Sequence, residues 1–595
     1  MSYKAPIKEQ LFLLNEVLDV AAHGSLPGFA DATPELTGQL LEEAARFCEE
    51  VLAPLNAVGD REGCHYDGTT AAVTTPEGFR AAYRTMVESG WSALSVEPAW
   101  GGQGLPLVLN LAFNEMASSA NMAFAMYPGL THGAFSTIRK AGDEAQKALY
   151  LAKMATGAWS GAMNLTEPQC GTDLGLVRTK AVKAEDGSWR ITGEKIWISG
   201  GEQDLTPNIV HLVLARTEGA PAGTRGLSLF IVPKFIPDAN GEPGQPNAFK
   251  CAGLEEKMGI HANATCAMAY DGATGWLLGE ETKGLRLMFI MMNEARLGVA
   301  VQGLAQGEAA YQAAASFAKE RLQGRALGGP QNPDGPADPI LVHPDVRRML
   351  MDSRAVLEAG RALLFWTILH EDIETGSGDG AERQRAEDIV ALMTPVLKSF
   401  LTDRGFRICS DAMQVHGGSG YTSHFPASQY LRDSRIAMIY EGTNGVQALD
   451  LVGRKLPANG GRAVMAFLAE IDAFAAEPAD PELTPFVEGL RAAKAQLQEA
   501  TLWLVQNGVG APENAVAGSH DYLNLMALTG LAYMWAKMAK AAQARIADGE
   551  ADPFYANKLI TGRYFVERVL PETGAHLAKL KTGAAPVMAL PADAF

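Results

Sequence analysis

Tyr440-Glu441-Gly442-Thr443-Asn444 interrupts a helical pattern. A charged, helix-like run from Leu431 to Ile439 precedes it, and an amphipathic run from Val446 to Leu456 follows. Glu441 therefore stands at a break between two helices, beside a glycine that lets a ligand approach the backbone closely. Thr443 is placed to cap the second helix, with neighbouring N–H groups open to an anion. The default reading of a glutamate at such a junction is a solvated partner of the helix dipole. Distant stretches of the chain argue for more.

Before this break come Gln414-Val415-His416-Gly417-Gly418-Ser419-Gly420-Tyr421-Thr422 and Leu431-Arg432-Asp433. Far upstream stand Leu165-Thr166-Glu167-Pro168-Gln169-Cys170-Gly171-Thr172-Asp173 and Gly193-Glu194-Lys195-Ile196-Trp197-Ile198-Ser199. In this order and spacing, over residues 1 to about 455, the chain resembles the acyl-CoA dehydrogenase family. The motifs carry that resemblance jointly, since each alone is common. Length and the tail beyond 455 resemble an extended bacterial branch, which includes enzymes for 3-(methylthio)propanoyl-CoA.

A chain of 595 residues is too long for one core and predicts three or four domains. Its formal charge of −18 argues against nucleic acid and against anionic membrane surfaces. It does not argue against a phosphorylated ligand, which meets local cations. The six cysteines show no Cys-x-x-Cys pair, so neither a disulfide framework nor a metal site is expected. The first twenty residues carry Lys4, Lys8, Glu9, Glu16 and Asp19 and do not read as a signal peptide. No stretch reads as a membrane span, and the expected location is cytoplasmic.

Residues 1–160 read as helices, with apolar residues three and four apart over Leu36–Leu52, Pro76–Gly90 and Leu107–Met126. From 161 to 280, short β-branched runs (Val177–Ala184, Trp189–Ser199, His211–Ala215, Leu227–Val232) are parted by glycine turns, and Pro237–Pro246 reads as a surface loop. Helical periodicity returns over 281–456, broken by the Gly- and Pro-rich Leu327–Pro339 and by Gly376–Gly380. Residues 461–595 read as a further helical unit, with Leu490, Ala493, Leu497, Ala500 and Leu504 on one stripe. The resemblance implies an α+β, mainly α fold. Its parts are an N-terminal helical domain, a middle β-barrel, a four-helix bundle and an extra C-terminal helical domain.

Removing hydrogen from the α and β carbons of a thioester needs a base and a hydride acceptor that no side chain supplies. The chain lacks a strand–Gly-x-Gly-x-x-Gly–helix unit, which disfavours NAD. The resemblance implies FAD. It sets Trp197 against the flavin ring, Ser199 near its N5, and Met163, Leu165 and Thr166 at its polar edge. Gly171 and Thr172 would meet phosphate. Arg321 would reach the pyrophosphate of a neighbouring subunit, with Gln414, Gly417 and Gly418 near its adenosine half, and Gln323, Thr443 and Asn444 are also expected at the cofactor. An arginine fork suits pyrophosphate. On the substrate side the resemblance implies CoA contacts from Arg296 and Asn293, Tyr440 beside the thioester, and the Gly442 N–H at the enolate oxygen. Glu441 is the implied base, raised toward neutrality by burial. Residue by residue, plainer readings stay open: Trp197 as core, Thr166–Pro168 as a turn, Arg321 as a surface charge.

The implied partners are an acyl-CoA, short or medium in chain or 3-(methylthio)propanoyl-CoA, an electron-transfer flavoprotein, and further copies of the chain, as a dimer or tetramer. Two alternatives are an oxidase that uses oxygen and a helical acyl-CoA binder without catalysis.

Overall fold

The computed structural model describes residues 3–478 and 480–595. The N-terminal unit holds α1 (Ile7–Phe12), α2 (Pro34–Phe47), α3 (Ala53–Glu62), α4 (Phe79–Glu88), α5 (Leu107–Ala141) and α6 (Glu144–Ala155). It is not wholly helical: β1 (His65–Asp67) and β2 (Ala72–Thr74) pair as a small hairpin, too short to show a period. Within α5, Asn121 leaves helical geometry (φ −160°, ψ 88°), and its side chain accepts the Phe124 N–H at 3.1 Å. That bond caps the second half of the helix.

The middle unit holds β3 (Ser160–Asn164), β4 (Lys180–Lys183), β5 (Trp189–Ser199), β6 (Ile209–Thr217), β7 (Leu227–Pro233), β8 (Phe235–Pro237), β9 (Pro243–Pro246), β10 (Phe249–Leu254) and β11 (Thr265–Leu278). The strands β11, β5, β4, β6 and β7 pair in sequence, and β7 returns to β11, which closes a barrel. β10 and β3 extend it at its sides. The stretch expected as a surface loop instead carries β9 and the turn that joins it to β8. The long β11 was not foreseen because register shifts at its bulges break simple alternation.

The bundle consists of α7 (Gly284–Glu320), α8 (Pro344–Gly376) and α9 (Gly380–His416), with α10 (Ala427–Arg435) and α11 (Asn444–Asp450) behind, and α5 packs along α7 and α8. The α7–α9 crossing is backbone on backbone. A Cβ on Gly405 would stand 2.1 Å from the Gly303 carbonyl oxygen, and one on Gly303 would meet the Leu401 carbonyl oxygen at 2.6 Å. Seven residues, or two turns, separate Gly303 from Arg296 and Gly405 from Lys398. The crossing thus brings those two cations to one side of the bundle.

The C-terminal unit holds α12 (Arg462–Ala476), α13 (Thr484–Gly508), α14 (Pro512–Ala547), α15 (Pro553–Tyr564), α16 (Glu572–Leu580) and α17 (Ala585–Met588). The expected stripe on α13 is buried throughout. α14 lies against α8 and α11, and the Trp535 indole donates to the Ala355 carbonyl at 3.0 Å. The two ends of the chain meet here: Lys558 of α15 pairs with Glu9 of α1 and with Glu358 of α8 (2.8 Å). No helix among the described residues is long and apolar enough to cross a membrane.

Candidate active site

Thr443 is the N-cap of α11, its hydroxyl accepting the Val446 N–H at 3.3 Å. Directly before it the chain turns through left-handed geometry at both Glu441 (φ 57°) and Gly442 (φ 81°). Glycine adopts that conformation freely, whereas a glutamate there is strained. The turn is held from behind: Gln447 Nε2 donates to the Glu441 carbonyl (2.9 Å) and the Gly442 carbonyl (3.2 Å). Lys398 Nζ donates to the Gly442 carbonyl (2.8 Å) and to Asn444 Oδ1 (2.9 Å). The N–H groups of Glu441 and Gly442 find no backbone acceptor among the described residues.

Glu441 is half-buried, and Arg296 of α7 and Lys398 of α9 are the cations nearest in influence. Burial pushes its carboxyl up to about 7, against the pull of both cations. Arg296 is itself buried, its Nη1 3.6 Å from Asp450 Oδ2 and 3.4 Å from Asn293 Oδ1, and its Nε has no partner among the described residues. The Tyr440 hydroxyl donates to Gln302 of α7, which fixes the ring beside the turn. Arg296, Asn293, Tyr440, Glu441, Gly442 and Thr443 thus converge on one side of the bundle. Asn444 does not face outward with them. Its amide is spent inside, accepting from Lys398 and donating to Ser399, Thr402 and Asp403, so its side chain is engaged on α9.

Glu294, two residues before Arg296, is a second carboxyl in the region, pushed by burial up to about 8. Titration alone does not separate the two. Orientation does: Glu294 lies 4.0 Å from His132 of α5, whereas Glu441 lies in the field of Arg296 and Lys398.

On the barrel, β5 carries two residues, Ile196 and Trp197, opposite one residue of β11, between the Lys195–Met268 and Ile198–Cys266 pairs. This bulge gives Trp197 a φ of 62° and leaves its indole 55% exposed. The core reading of Trp197 therefore fails. The Ile196 N–H donates to the Thr166 carbonyl at 2.9 Å, joining the two segments, and the Thr166 N–H has no backbone acceptor among the described residues. Ser199 ends β5, Met163 lies on β3 with Leu165 just beyond it, and Gly171 and Thr172 lie in an exposed turn.

Underneath is a pair whose role the sequence reading missed. Lys195 Nζ donates to the Leu165 carbonyl and to Glu167 Oε1, both at 2.9 Å, and both side chains are buried. Glu167 also accepts the Arg178 N–H (2.7 Å), the Thr179 N–H (3.0 Å) and the Thr179 hydroxyl (2.6 Å). Burial acts against both charges. The carboxylate, with five donors once Gln169 Nε2 at 2.5 Å is included, is nonetheless held down to about 2, while burial pulls the ammonium below its ordinary value. The signal was a lysine in the inward-facing set of β5, with Trp189, Ile191 and Ile198.

Arg321, Gln323, Gln414, Gly417 and Gly418 form a separate group, all exposed. Phe317, one turn before Arg321, stacks on the buried His416 at 4.5 Å, and this brings the end of α7 beside the Gly417–Gly418 turn. At ~1.5 Å per residue along α7, Arg321 is about 37 Å from Arg296.

Family models match nearly the whole chain: "Acyl-CoA dehydrogenase, N-terminal domain" over residues 34–158, "Acyl-CoA dehydrogenase, middle domain" over 162–273 and "Acyl-CoA dehydrogenase, C-terminal domain" over 282–456. "Acetyl-CoA dehydrogenase C-terminal like" matches 467–591. The chain is 41% identical over 582 residues to 3-methylmercaptopropionyl-CoA dehydrogenase of Ruegeria pomeroyi, covering 98% of each. It is 34% identical to the broad-specificity linear acyl-CoA dehydrogenase FadE5 of Mycobacterium tuberculosis, covering 96% of each. Among solved structures, an acyl-CoA dehydrogenase complexed with FAD from Bacillus anthracis superposes with a TM-score of 0.73 at 22% identity, covering 92% of this chain and 88% of that one.

Proposed function

The chain belongs to the acyl-CoA dehydrogenase family, an FAD-dependent oxidoreductase acting on acyl-CoA, and on that premise we propose that Glu441 is its catalytic base. The observation that carries the reading is the turn itself. It presents a half-buried carboxyl poised near neutrality beside the Glu441 and Gly442 N–H groups, which have no backbone acceptor among the described residues. In its ionised form Glu441 takes the α-proton of the thioester. The Gly442 N–H meets the oxygen on which negative charge develops, which makes a weakly acidic proton removable. Arg296 and Asn293 contact the CoA portion, and Tyr440 lies along the thioester.

The residues present fit a flavin: Trp197 offers an exposed flat face and the Thr166 segment an unused backbone donor. FAD, when bound, supplies the acceptor for the β-hydride, and the product is the 2-enoyl-CoA. Met163, Leu165, Thr166 and Ser199 hold the flavin edge, Gly171 and Thr172 its phosphates. Arg321 lies about 37 Å along α7 from Arg296, the cation beside the chain's own base. That distance supports its service, with Gln323, Gln414, Gly417 and Gly418, to a cofactor seated on a second copy in a dimer or tetramer. The Ruegeria relative's name supports a short chain such as 3-(methylthio)propanoyl-CoA as substrate, and an electron-transfer flavoprotein in the cytoplasm is the proposed acceptor.

Anaerobic stopped-flow traces test the base. Glu441→Gln should retain FAD and acyl-CoA binding while flavin reduction slows beyond the roughly 10²–10⁴-fold typical of a lost general base. Glu294→Gln should stay near the parent rate, and the reverse pattern moves the base to α7. Because the Glu441 value lies near 7, the parent rate should climb as pH rises through 7. Butanoyl, octanoyl, palmitoyl and methylthiopropanoyl thioesters then rank the substrates, and a preference for palmitoyl-CoA would overturn the short-chain reading.

A further inference from the structure

Lys398 is fully buried on α9, yet it makes no ion pair within 4.0 Å among the described residues. Its two acceptors are neutral, a backbone carbonyl and an amide oxygen. Burying an ammonium without a direct counter-ion is costly, so a polar uncharged side chain would serve a purely structural tether better. The acceptors it has chosen both belong to the turn that carries Glu441.

We propose that Lys398 is a positioning residue for the base: its ammonium, through the Gly442 carbonyl and Asn444, clamps the turn in left-handed geometry and holds a positive charge behind the Glu441 carboxylate. The inference rests on Glu441 being the base. Two roles are joined in one group. The clamp acts with Gln447, which grips the Gly442 carbonyl as well, together with that of Glu441, from α11. Asn444 extends the grip into α9 through Ser399, Thr402 and Asp403. The charge acts across space. Toward Glu441 face Arg296 from α7, Lys398 from α9 and Tyr440 at its side; toward Lys398 face Glu441, Asp403 and Arg296. Asp450 of α11 engages Arg296. Burial pulls Lys398 down to about 8, so it is still mostly charged at pH 7, where its field favours the ionised base.

Two variants separate the roles. Lys398→Met removes clamp and charge, whereas Lys398→Gln keeps a donor and removes the charge. In both, the acid limb of flavin reduction should move up by about one pH unit, the low end for loss of a close opposite charge. That alone slows the reaction roughly fivefold at pH 7 and vanishes at high pH. Lys398→Met should show a further loss that persists at high pH, and Lys398→Gln should restore it. A second readout is independent of turnover: the infrared carboxyl band of Glu441, assigned by its disappearance in Glu441→Gln, should titrate at higher pH in both variants. If Lys398→Met fails to fold or to hold FAD, Lys398→Gln alone decides. Parent acid limbs and a parent infrared titration, with Glu441→Gln inactive, would overturn the role of Lys398 and leave the base in place. An active Glu441→Gln would instead overturn the base.

Discussion

Lys195→Met removes, in one change, the cation paired with buried Glu167 and the donor that holds the Leu165 carbonyl. Both side chains are at most 3% exposed, so water cannot replace the lost partner. Breaking a buried pair from one side costs about 3–5 kcal/mol. Glu167 retains four donors, from Gln169, Arg178 and Thr179, which places the cost at the low end, about 3 kcal/mol. Unfolding of a chain with several domains is not one two-state step, so the effect belongs in a local measurement. Hydrogen exchange of β3 and β5 amides should quicken by about 10²-fold, the ratio that corresponds to such a loss. FAD should dissociate more readily, because the Leu165–Thr166 segment is no longer tied to β5. The pair also sets an acid limit. The folded Glu167 value of about 2 lies below its unfolded value, so its contribution is whole above the unfolded value, erodes as pH falls, and is gone near pH 2. Lys195→Met should flatten that acid dependence. Adding Glu167→Gln should recover much of the exchange protection, since a neutral amide no longer leaves a bare charge inside. Exchange within twofold of the parent, or strictly additive losses in the double variant, would refute the pair as the anchor of the two segments.

Gly405→Ala sets a Cβ 2.1 Å from the Gly303 carbonyl oxygen. The resulting separation of α7 from α9 should cost about 1–3 kcal/mol and slow flavin reduction by displacing Arg296 and Lys398; a parent melting temperature and rate would exclude the crossing as their spacer. Arg321→Glu should weaken FAD retention during dialysis of the oligomer, and full occupancy afterwards would sink the cross-subunit assignment.

The helices of the bundle were legible because their apolar faces recur at a fixed period, and the C-terminal stripe of α13 is buried as its spacing required. The barrel was half legible. β5 and β7 are clean β-branched runs, whereas β11 passes through bulges that displace its inward set, and β3 is too short and too rich in small residues to stand out. The turn at Glu441 was visible as a break in pattern with a cap and a glycine. What held it was not visible. Lys398 and Gln447 lie 43 residues before Glu441 and six after it, on helices whose periodicity reads the same with or without them. For the same reason Asn444 read as a ligand contact, since nothing local says that its amide is already spent on α9.

Trp197 and Glu441 show why that part of a site escapes local reading. They are two of seven non-glycine residues with positive φ among the described residues. Each such backbone costs on the order of 1–3 kcal/mol and persists where the surroundings over-determine it. At Trp197 the surroundings are the β11 pairs on either side of the bulge and the Thr166 carbonyl; at Glu441 they are Lys398, Gln447 and the capped start of α11. Glycine at either position would relieve the strain and remove the side chain. The strain therefore follows from a requirement for an indole and a carboxylate at points where the chain must turn the left-handed way. In each case the residue that tolerates the turn best is next to the strained one or within three positions of it: Gly442 after Glu441, Gly200 after Ser199. A sequence displays the glycines, which mark where the backbone turns; the tertiary partners decide which neighbouring side chain is held out for use.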